Sequence, residues 1–458
     1  MPPFAADKMD AWTSGRWTRI PGGRLGGFTQ DTRQLAAGQV FVAVRTDKRD
    51  GHDYLGEALK RGASAALVGR EVNGTELPQL VVEDPLAAFQ LIAREHRREF
   101  HGTVVGVTGS VGKTSTKDLL ALLLGGPDTV LATEGNLNNH LGVPLTLTRL
   151  DPAVHRAAVI EAGISAPGEM APLAAMIEPD HSVVTLVGPA HLEKLGSLEG
   201  VAFEKSRLPA ANQPGGLAVF PVSCWPYESF RALANPLVLV PDSEGLTKTA
   251  GRSVKFNVFH RPDRTEVTFD GRRRFILRRV SGGMAQNAAL ALALASDLGV
   301  GDAVLQNRLA EWQPSKWRGE LQEFGALTVY RDFYNANPAS MPDAIDAFNS
   351  SVGAERPRIY VLGCMEELGA GSANYHRQLG RVLHLRRGDF LFIIGDQAAA
   401  LREGLLENGN DAAQVAVVAD LAPVRERLVG FKGAVFLKGS RRYQLETVLD
   451  PQPAAHAH

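Results

Sequence analysis

Cysteine is nearly missing. Cys224 and Cys364 are the only two in 458 residues, and they lie far apart in the chain. A disulfide framework is excluded on that count, and a reducing, cytoplasmic setting is expected. The opening residues, Met1-Pro2-Pro3-Phe4, show no basic stretch followed by an apolar one, so no secretory signal is read. No apolar run approaches the ~20 residues of a membrane span, and no membrane insertion is expected. An excess of either charge is lacking too: 49 basic residues face 50 acidic ones, for a formal net charge of −1. Such a balance offers no broad field to a polyanion, and nucleic acid is not expected as a partner. Internal repeats and low-complexity tracts are also absent. What is present is a 44% apolar share, ample for packed cores, over a length that implies more than one domain.

The strongest local signal is Thr108-Gly109-Ser110-Val111-Gly112-Lys113-Thr114-Ser115-Thr116. It follows the apolar run Thr103 to Val107 and precedes a helical pattern, Lys117 to Leu124. Strand, glycine loop, helix start is the order that a nucleotide phosphate site requires. Glycines let the backbone approach phosphate oxygens, and free N–H groups with the positive helix end attract the anion. Lys113 would reach the terminal phosphates, and the Thr114 hydroxyl would hold Mg²⁺. The strict G-x-x-x-x-G-K-[ST] pattern fails by one residue, because Val107 stands at its first glycine. ATP and Mg²⁺ are the expected cofactors.

Before this loop, Gln39 to Val44 and Ser64 to Val68 read as strands, His52 to Arg61 and Leu86 to Phe100 as helices. A first boundary is placed at His101-Gly102. Beyond it, Ala157 to Ile160 and Val183 to Val187 read as buried parallel strands. Leu237 to Val240, Val254 to Phe259, Glu266 to Phe269 and Phe275 to Leu277 read as successive antiparallel strands, separated by turn residues. Met284 to Leu298 is a helix ended by Gly299. From Trp312 to Gly319 onward, strand and helix patterns alternate: Leu327 to Phe333, Met341 to Phe348, Arg358 to Leu362, His376 to Leu385, Phe390 to Ile394, Val415 to Val418 and Ala434 to Leu437. That alternation predicts a parallel, Rossmann-like α/β domain. The tail after Asp450 is read as frayed.

Several polar residues fall where chemistry could use them. Gly135 to Pro144 holds Asn136, Asn138 and Asn139, which suit either a polar substrate or a hydrogen-bonded turn. Glu161 ends a strand, where it faces the ligand crevice of an α/β sheet and could hold Mg²⁺, or is an exposed acid beside a turn. His191 is a metal ligand, an orienting group or a structural histidine. Lys205 looks like a lysine on a solvated helix face. Asp332 closes a strand and can accept from ribose hydroxyls. Asn335 and Asn337 follow it in a turn. Arg318 could pair with phosphate, and Lys438 could face the same cleft.

Together these segments resemble the Mur ligases, the ATP-dependent amide-forming enzymes of peptidoglycan assembly. The carriers are the short T-G-x-x-G-K-T-x-T loop, G-N-x-N-N-x-x-G-x-P at 135–144, P-G-E at 167–169 and A-H-L-E-x-L-G-S at 190–197. Y-N-A-N-P at 334–338, V-L-G-x-M-x-E-L-G at 361–369 and K-G-S-R at 438–441 follow in order. The resemblance implies an α/β chain of three domains: a UDP-sugar-binding domain (1–101), a central P-loop ATPase domain (102–313) and a C-terminal Rossmann-like ligase domain (314–458). It implies an enzyme that adds D-alanyl-D-alanine to UDP-N-acetylmuramoyl-tripeptide through an acyl phosphate, acting as a monomer. Another amino-acid ligase of the superfamily and a non-catalytic nucleotide-binding homologue are the alternatives. Roles follow by position. Gly109, Ser110, Gly112, Lys113, Thr114, Ser115, Asn287, Arg318 and Asp332 take the nucleotide. Thr114, Glu161, His191 and Lys205 take magnesium, Lys205 as a carbamate. Lys113, Lys205 and His191 serve catalysis. Asp31, Thr32, Arg33 and His52 resemble the module that grips the UDP end, while Asn136, Asn138, Asn139, Asn335 and Asn337 take the remaining substrate. The chain departs from the family pattern at Gln286, Leu290, Arg207 and Cys364.

Overall fold

The structure, a computed structural model, describes residues 2–244 and 251–449. The tail after Asp450 lies outside the described residues. Three sheets follow one another along the chain, each with its own apolar core.

The first sheet takes up residues 16–81. Its strands run in the order Arg16–Trp17, Gln79–Val81, Ala65–Val68, Val40–Val42 and Phe28–Thr29. Only the Arg16–Trp17 edge is antiparallel. The stretch read as one helix from His52 is a 3₁₀ turn, Gly51–Tyr54, followed by a short helix, Leu55–Lys60. Asp50 caps that turn and so tightens its start.

The helix Pro85–Arg98 joins this part to the next. Asp84 accepts from the N–H groups of Leu86 (2.8 Å) and Ala87 (3.2 Å), and Pro85 presets its first turn. Ala88, Phe89 and Ile92 pack into the first core, whereas Ala93 and Phe100 belong to the second. Arg97 bolts the two together. Its buried guanidinium donates to the carbonyls of Ile177 (3.0 Å), Phe100 (3.1 Å) and Glu178 (2.8 Å) and to Asp180 (3.1 Å). Arg97→Ala removes the guanidinium from three carbonyls and leaves Asp180 with only the Val104 N–H (2.7 Å), and it is expected to cost about 3 kcal/mol of stability. Urea unfolding measures it; a loss below about 1 kcal/mol, the worth of one ordinary hydrogen bond, would contradict this role.

The second sheet has nine strands, in the order 273–278, 264–269, 252–260, 236–241, 218–221, 181–184, 103–108, 157–161 and 130–132. It is parallel from 130–132 across to 252–260. Only the last two pairings are antiparallel. This corrects the expectation of four antiparallel strands from Leu237 to Leu277, since Pro236–Pro241 pairs in parallel on both sides. The run Leu237 to Val240 is apolar without alternation because both faces are buried, which is the signature of a parallel strand. The strand expected to reach Val187 stops at Val184, and the loop beyond it turns toward the glycine loop.

The third sheet runs 320–324, 327–332, 433–438, 358–363, 390–394 and 415–418. Four of its five pairings are parallel, as expected of a Rossmann-like domain. The antiparallel edge, Glu320–Phe324, went unread because its residues are mostly exposed and carry no apolar period.

Two buried histidines, His96 and His376, and the half-buried His181 make the fold acid-sensitive. His376 accepts the Met365 N–H at Nε2 (2.9 Å) and donates from Nδ1 to Ser372 O (2.7 Å). His96 donates to Leu150 O (2.7 Å), and the Leu217 N–H donates to His181 Nδ1 (3.0 Å). Burial pulls all three below the ordinary imidazole range. The unfolded chain therefore takes up protons near pH ~6.5 that the fold refuses, and stability drains as pH falls below that value. The melting midpoint is expected to drop between about pH 6.5 and 5, above the range where carboxylates titrate; a flat profile there would contradict it.

Candidate active site

The strand Thr103–Thr108 lies between Ala157–Glu161 and His181–Val184. After it the chain builds toward one edge of the sheet and then returns to extend the other. The crevice at its carboxyl end is thus the sheet's topological switch point, where α/β sheets take ligands. The glycine loop occupies it. Gly109 has φ 148°, and a Cβ there would sit 1.8 Å from Thr185 Oγ1. Gly112 has φ 80°, and a Cβ there would sit 2.0 Å from Asn287 Nδ2. Only glycine fits either place, so the backbone forms a cradle with nothing projecting into it. The following helix starts at Lys113, one turn earlier than its apolar period announces. Its first N–H groups face the cradle, which suits a polyphosphate.

Glu161 is 1% exposed, which rules out the solvated-acid reading. Its N–H donates to Thr133 Oγ1 (2.9 Å), which fixes the strand end. Its carboxylate accepts from the Thr114 hydroxyl (2.7 Å) on one oxygen and from Asn138 Nδ2 (2.7 Å) on the other. The glycine loop and the asparagine loop are thereby joined through one acid. Hydroxyl and carboxylate oxygens are the hard donors that Mg²⁺ takes, so this pair fits the ion. Among the described residues no group of three His, Cys, Asp or Glu converges.

Lys113 donates to Gly109 O (3.0 Å), and Lys205 donates to the same oxygen (3.1 Å). Lys205 is 1% exposed, on the buried side of the helix Leu198–Ala210 rather than a solvated face. No carboxylate pairs with it among the described residues. Burial first, and the Lys113 charge second, push its ammonium far below the usual lysine range. Burial lowers Lys113 as well, with Glu161 opposing the shift. His191, at φ 54°, is bonded through Nδ1 to Glu367 of the third sheet's domain. Burial lowers its pKa against the pull of Glu367. The four residues read as magnesium ligands thus meet only in part: Thr114 and Glu161 touch, while Lys205 as an amine presents no oxygen.

The third sheet closes the cleft from the opposite side. Lys438, fully buried, donates to Asp332 (2.7 Å) and to Asn335 O (3.2 Å), holding the strand end and the turn after it. Asn337 caps its own helix by accepting from Ala339 N (3.1 Å) and Ser340 N (2.9 Å), and its amide reaches Ser110 O (3.4 Å). Arg318 lies over the Tyr334 ring at 4.0 Å. Between the two sides is a cleft of about 990 Å³, lined by Ser110, Thr114, Ser115, Asn139, His191, Asn287, Arg318, Asp332, Asn335 and Asn337, among others.

Five expected site residues stand elsewhere. Asn136 faces a neighbouring hollow behind the loop helix. Asp31 accepts the Arg33 N–H (3.0 Å) and pairs with its guanidinium (2.7 Å), with Thr32 buried between them. His52 is held at both ring nitrogens: Nδ1 meets Asp50 (2.5 Å) and Nε2 accepts from Gly69 N–H (2.9 Å). Three of the departures from the family pattern have structural partners of their own, while Gln286 adjoins the cleft residue Asn287. Leu290 is in the core, Cys364 is buried with its thiol pushed up to about 12, and Arg207 pairs with Glu204. Sequence reasoning missed Glu367 and Thr133. Glu367 lies in the E-L-G of 367–369; Thr133 carries no local signal.

The sequence pattern of the Mur ligase middle domain matches residues 107–295, and that of the Mur ligase, glutamate ligase domain matches 317–441. A UDP-N-acetylmuramoyl-tripeptide–D-alanyl-D-alanine ligase of Bacillus subtilis (strain 168) is 31% identical over 83% of this chain and 82% of its own. The crystal structure of MurF from Acinetobacter baumannii superposes with a TM-score of 0.86 at 26% identity, over 98% of this chain and 99% of that one. MurF ligase from Thermotoga maritima in complex with ADP gives 0.77 at 28%, over 93% and 96%.

Proposed function

The chain belongs to the Mur ligase family, and from that premise we propose that it joins D-alanyl-D-alanine to UDP-N-acetylmuramoyl-tripeptide, driven by ATP. The observation that carries this is the carboxylate of Glu161, which ties the phosphate-loop Thr114 to Asn138 of the asparagine loop. The terminal phosphate and the acid to be activated are thereby brought to one point. The division into 1–101, 102–313 and 314–458 follows the three sheets, with the UDP end on the first. ATP-dependent chemistry on a UDP-linked precursor sets the protein in the cytoplasm.

The loop N–H groups and Lys113 hold the β- and γ-phosphates, and Arg318 and Asp332 hold the nucleotide from the other wall. Asn287 packs against Gly112 and backs the loop. A carboxylate oxygen of the tripeptide attacks the γ-phosphorus, the bond to ADP breaks, and an acyl phosphate forms. The neutral amine of the dipeptide then attacks the acyl carbon, and phosphate leaves with the oxygen it gained. Thr114 and Glu161 would hold Mg²⁺, which neutralises phosphate charge. Burial and the Lys113 charge both disfavour the ammonium form of Lys205, which favours adding CO₂ with release of a proton. The carbamate so formed brings the missing oxygens and an anion for Lys113. Positioning and charge neutralisation supply the catalysis, and domain closure keeps water from the acyl phosphate.

Phosphate release should require ATP, Mg²⁺, the UDP-linked tripeptide and D-alanyl-D-alanine together. Release that is unchanged when the dipeptide is omitted would reject the proposal. A panel of single amino acids and glutamate acceptors separates this ligase from others of the superfamily.

A further inference from the structure

The contact between His191 and Glu367 spans two domains and is built from unusual backbone on both sides. Among the described residues eight non-glycine positions have positive φ, and two of them, His191 (54°) and Glu367 (62°), face each other. Such conformations persist where surrounding contacts over-determine them, and they cluster at functional sites. Here the surroundings are specific. Beside the side-chain bond, the Glu193 N–H donates to Glu367 O (3.2 Å). Gly369 lies so close that a Cβ on it would come within 3.2 Å of Glu193 Cα. His376 holds the same loop from beneath through the Met365 N–H.

The pair has little to do with stability. The Glu367 side chain is 55% exposed, and an exposed pair of this kind adds almost nothing to a fold. Its effect is on orientation. With Nδ1 bonded to Glu367, the tautomer is fixed and Nε2 is the nitrogen left for the cleft that His191 lines. The carboxylate that does this arrives only when the C-terminal domain is docked.

We propose that Glu367 is a positioning residue that makes domain closure and the orientation of His191 a single event. It builds on the ligase function proposed above. Closure then sets the histidine only when both walls of the cleft are in place, and the reactive intermediate forms only in a sealed site.

The test uses the full chain with Glu367→Ala and Glu367→Gln. Both retain a Cβ, so the backbone strain is unchanged; glutamine also retains an oxygen that can accept from Nδ1–H. Glu367→Ala is expected to lower kcat about tenfold, as loss of an orienting partner does, with KM for ATP and the melting midpoint unchanged. Glu367→Gln should recover most of that loss. A second readout needs no chemistry. Val154→Cys and Val429→Cys place dyes at exposed sites on the two domains (46% and 84% exposed), and both native cysteines are buried. With a non-hydrolysable ATP analogue, the dye-to-dye distance should narrow to one value in the parent and stay broad in Glu367→Ala. An unchanged kcat in Glu367→Ala, an equal loss in both variants, or equal distance distributions would each overturn the proposal. Failure of the parent to ligate would count against the ligase function instead, and the distance arm would still decide the role of Glu367.

Discussion

Lys113→Ala is expected to lower ligase turnover between about a hundredfold and a thousandfold, equivalent to about 3–4 kcal/mol of transition-state stabilisation. The lysine stands at the start of the loop helix with its ammonium on Gly109 O, 3.0 Å away. That carbonyl is a resting partner. A γ-phosphate in the cradle offers a stronger one, and charge on it grows as the bond to ADP breaks. Removing the ammonium therefore acts on the transition state more than on ground-state binding. The loop conformation should survive, because Lys205 still reaches Gly109 O and Thr185 still bonds Val111 O. Steady-state kinetics check it: kcat should collapse while KM for ATP rises modestly. A variant with near-parental kcat would place the phosphates elsewhere.

Lys205→Ala should also abolish most turnover, by about a hundredfold or more, while nucleotide still binds. The reason differs. An ammonium buried without a carboxylate is expensive, and a second cation beside it makes it worse. The group is relieved either by staying neutral or by becoming an anion. Carbamylation does the latter and turns the Lys113 contact from repulsive to attractive. In ¹³C-labelled bicarbonate, the parent should show a carbamate signal that Lys205→Ala lacks. A binding titration with a non-hydrolysable ATP analogue should give similar affinities for both proteins. Near-normal turnover in the variant would remove the carbamate role.

The glycine loop was legible because its constraint is local. Gly109 and Gly112 are needed by backbone geometry that a short window records, and the helix after them has a plain apolar period. Strand order was less legible. Leu237 to Val240 reads the same whether its neighbours run parallel or antiparallel, since both faces are buried either way. Lys205 shows the limit in the other direction. On spacing alone it belongs to a solvated face, and only its packing under the glycine loop reveals a buried amine. The His191–Glu367 contact could not be read from spacing at all. Its partners are 176 residues apart and meet through the docking of one domain on another. His52 is another case. Its motif is legible in the sequence, yet the bonds its side chain makes to Asp50 and to the Gly69 N–H, which shape the turn, are not.

The whole account requires that one oxygen pass from the tripeptide's terminal carboxylate to the γ-phosphorus of ATP. UDP-N-acetylmuramoyl-tripeptide labelled with ¹⁸O in that carboxylate, turned over with ATP, Mg²⁺ and D-alanyl-D-alanine, reports it in the mass of the released phosphate. One ¹⁸O in each phosphate is the predicted result. Unlabelled phosphate, formed at the same rate as product, would contradict it.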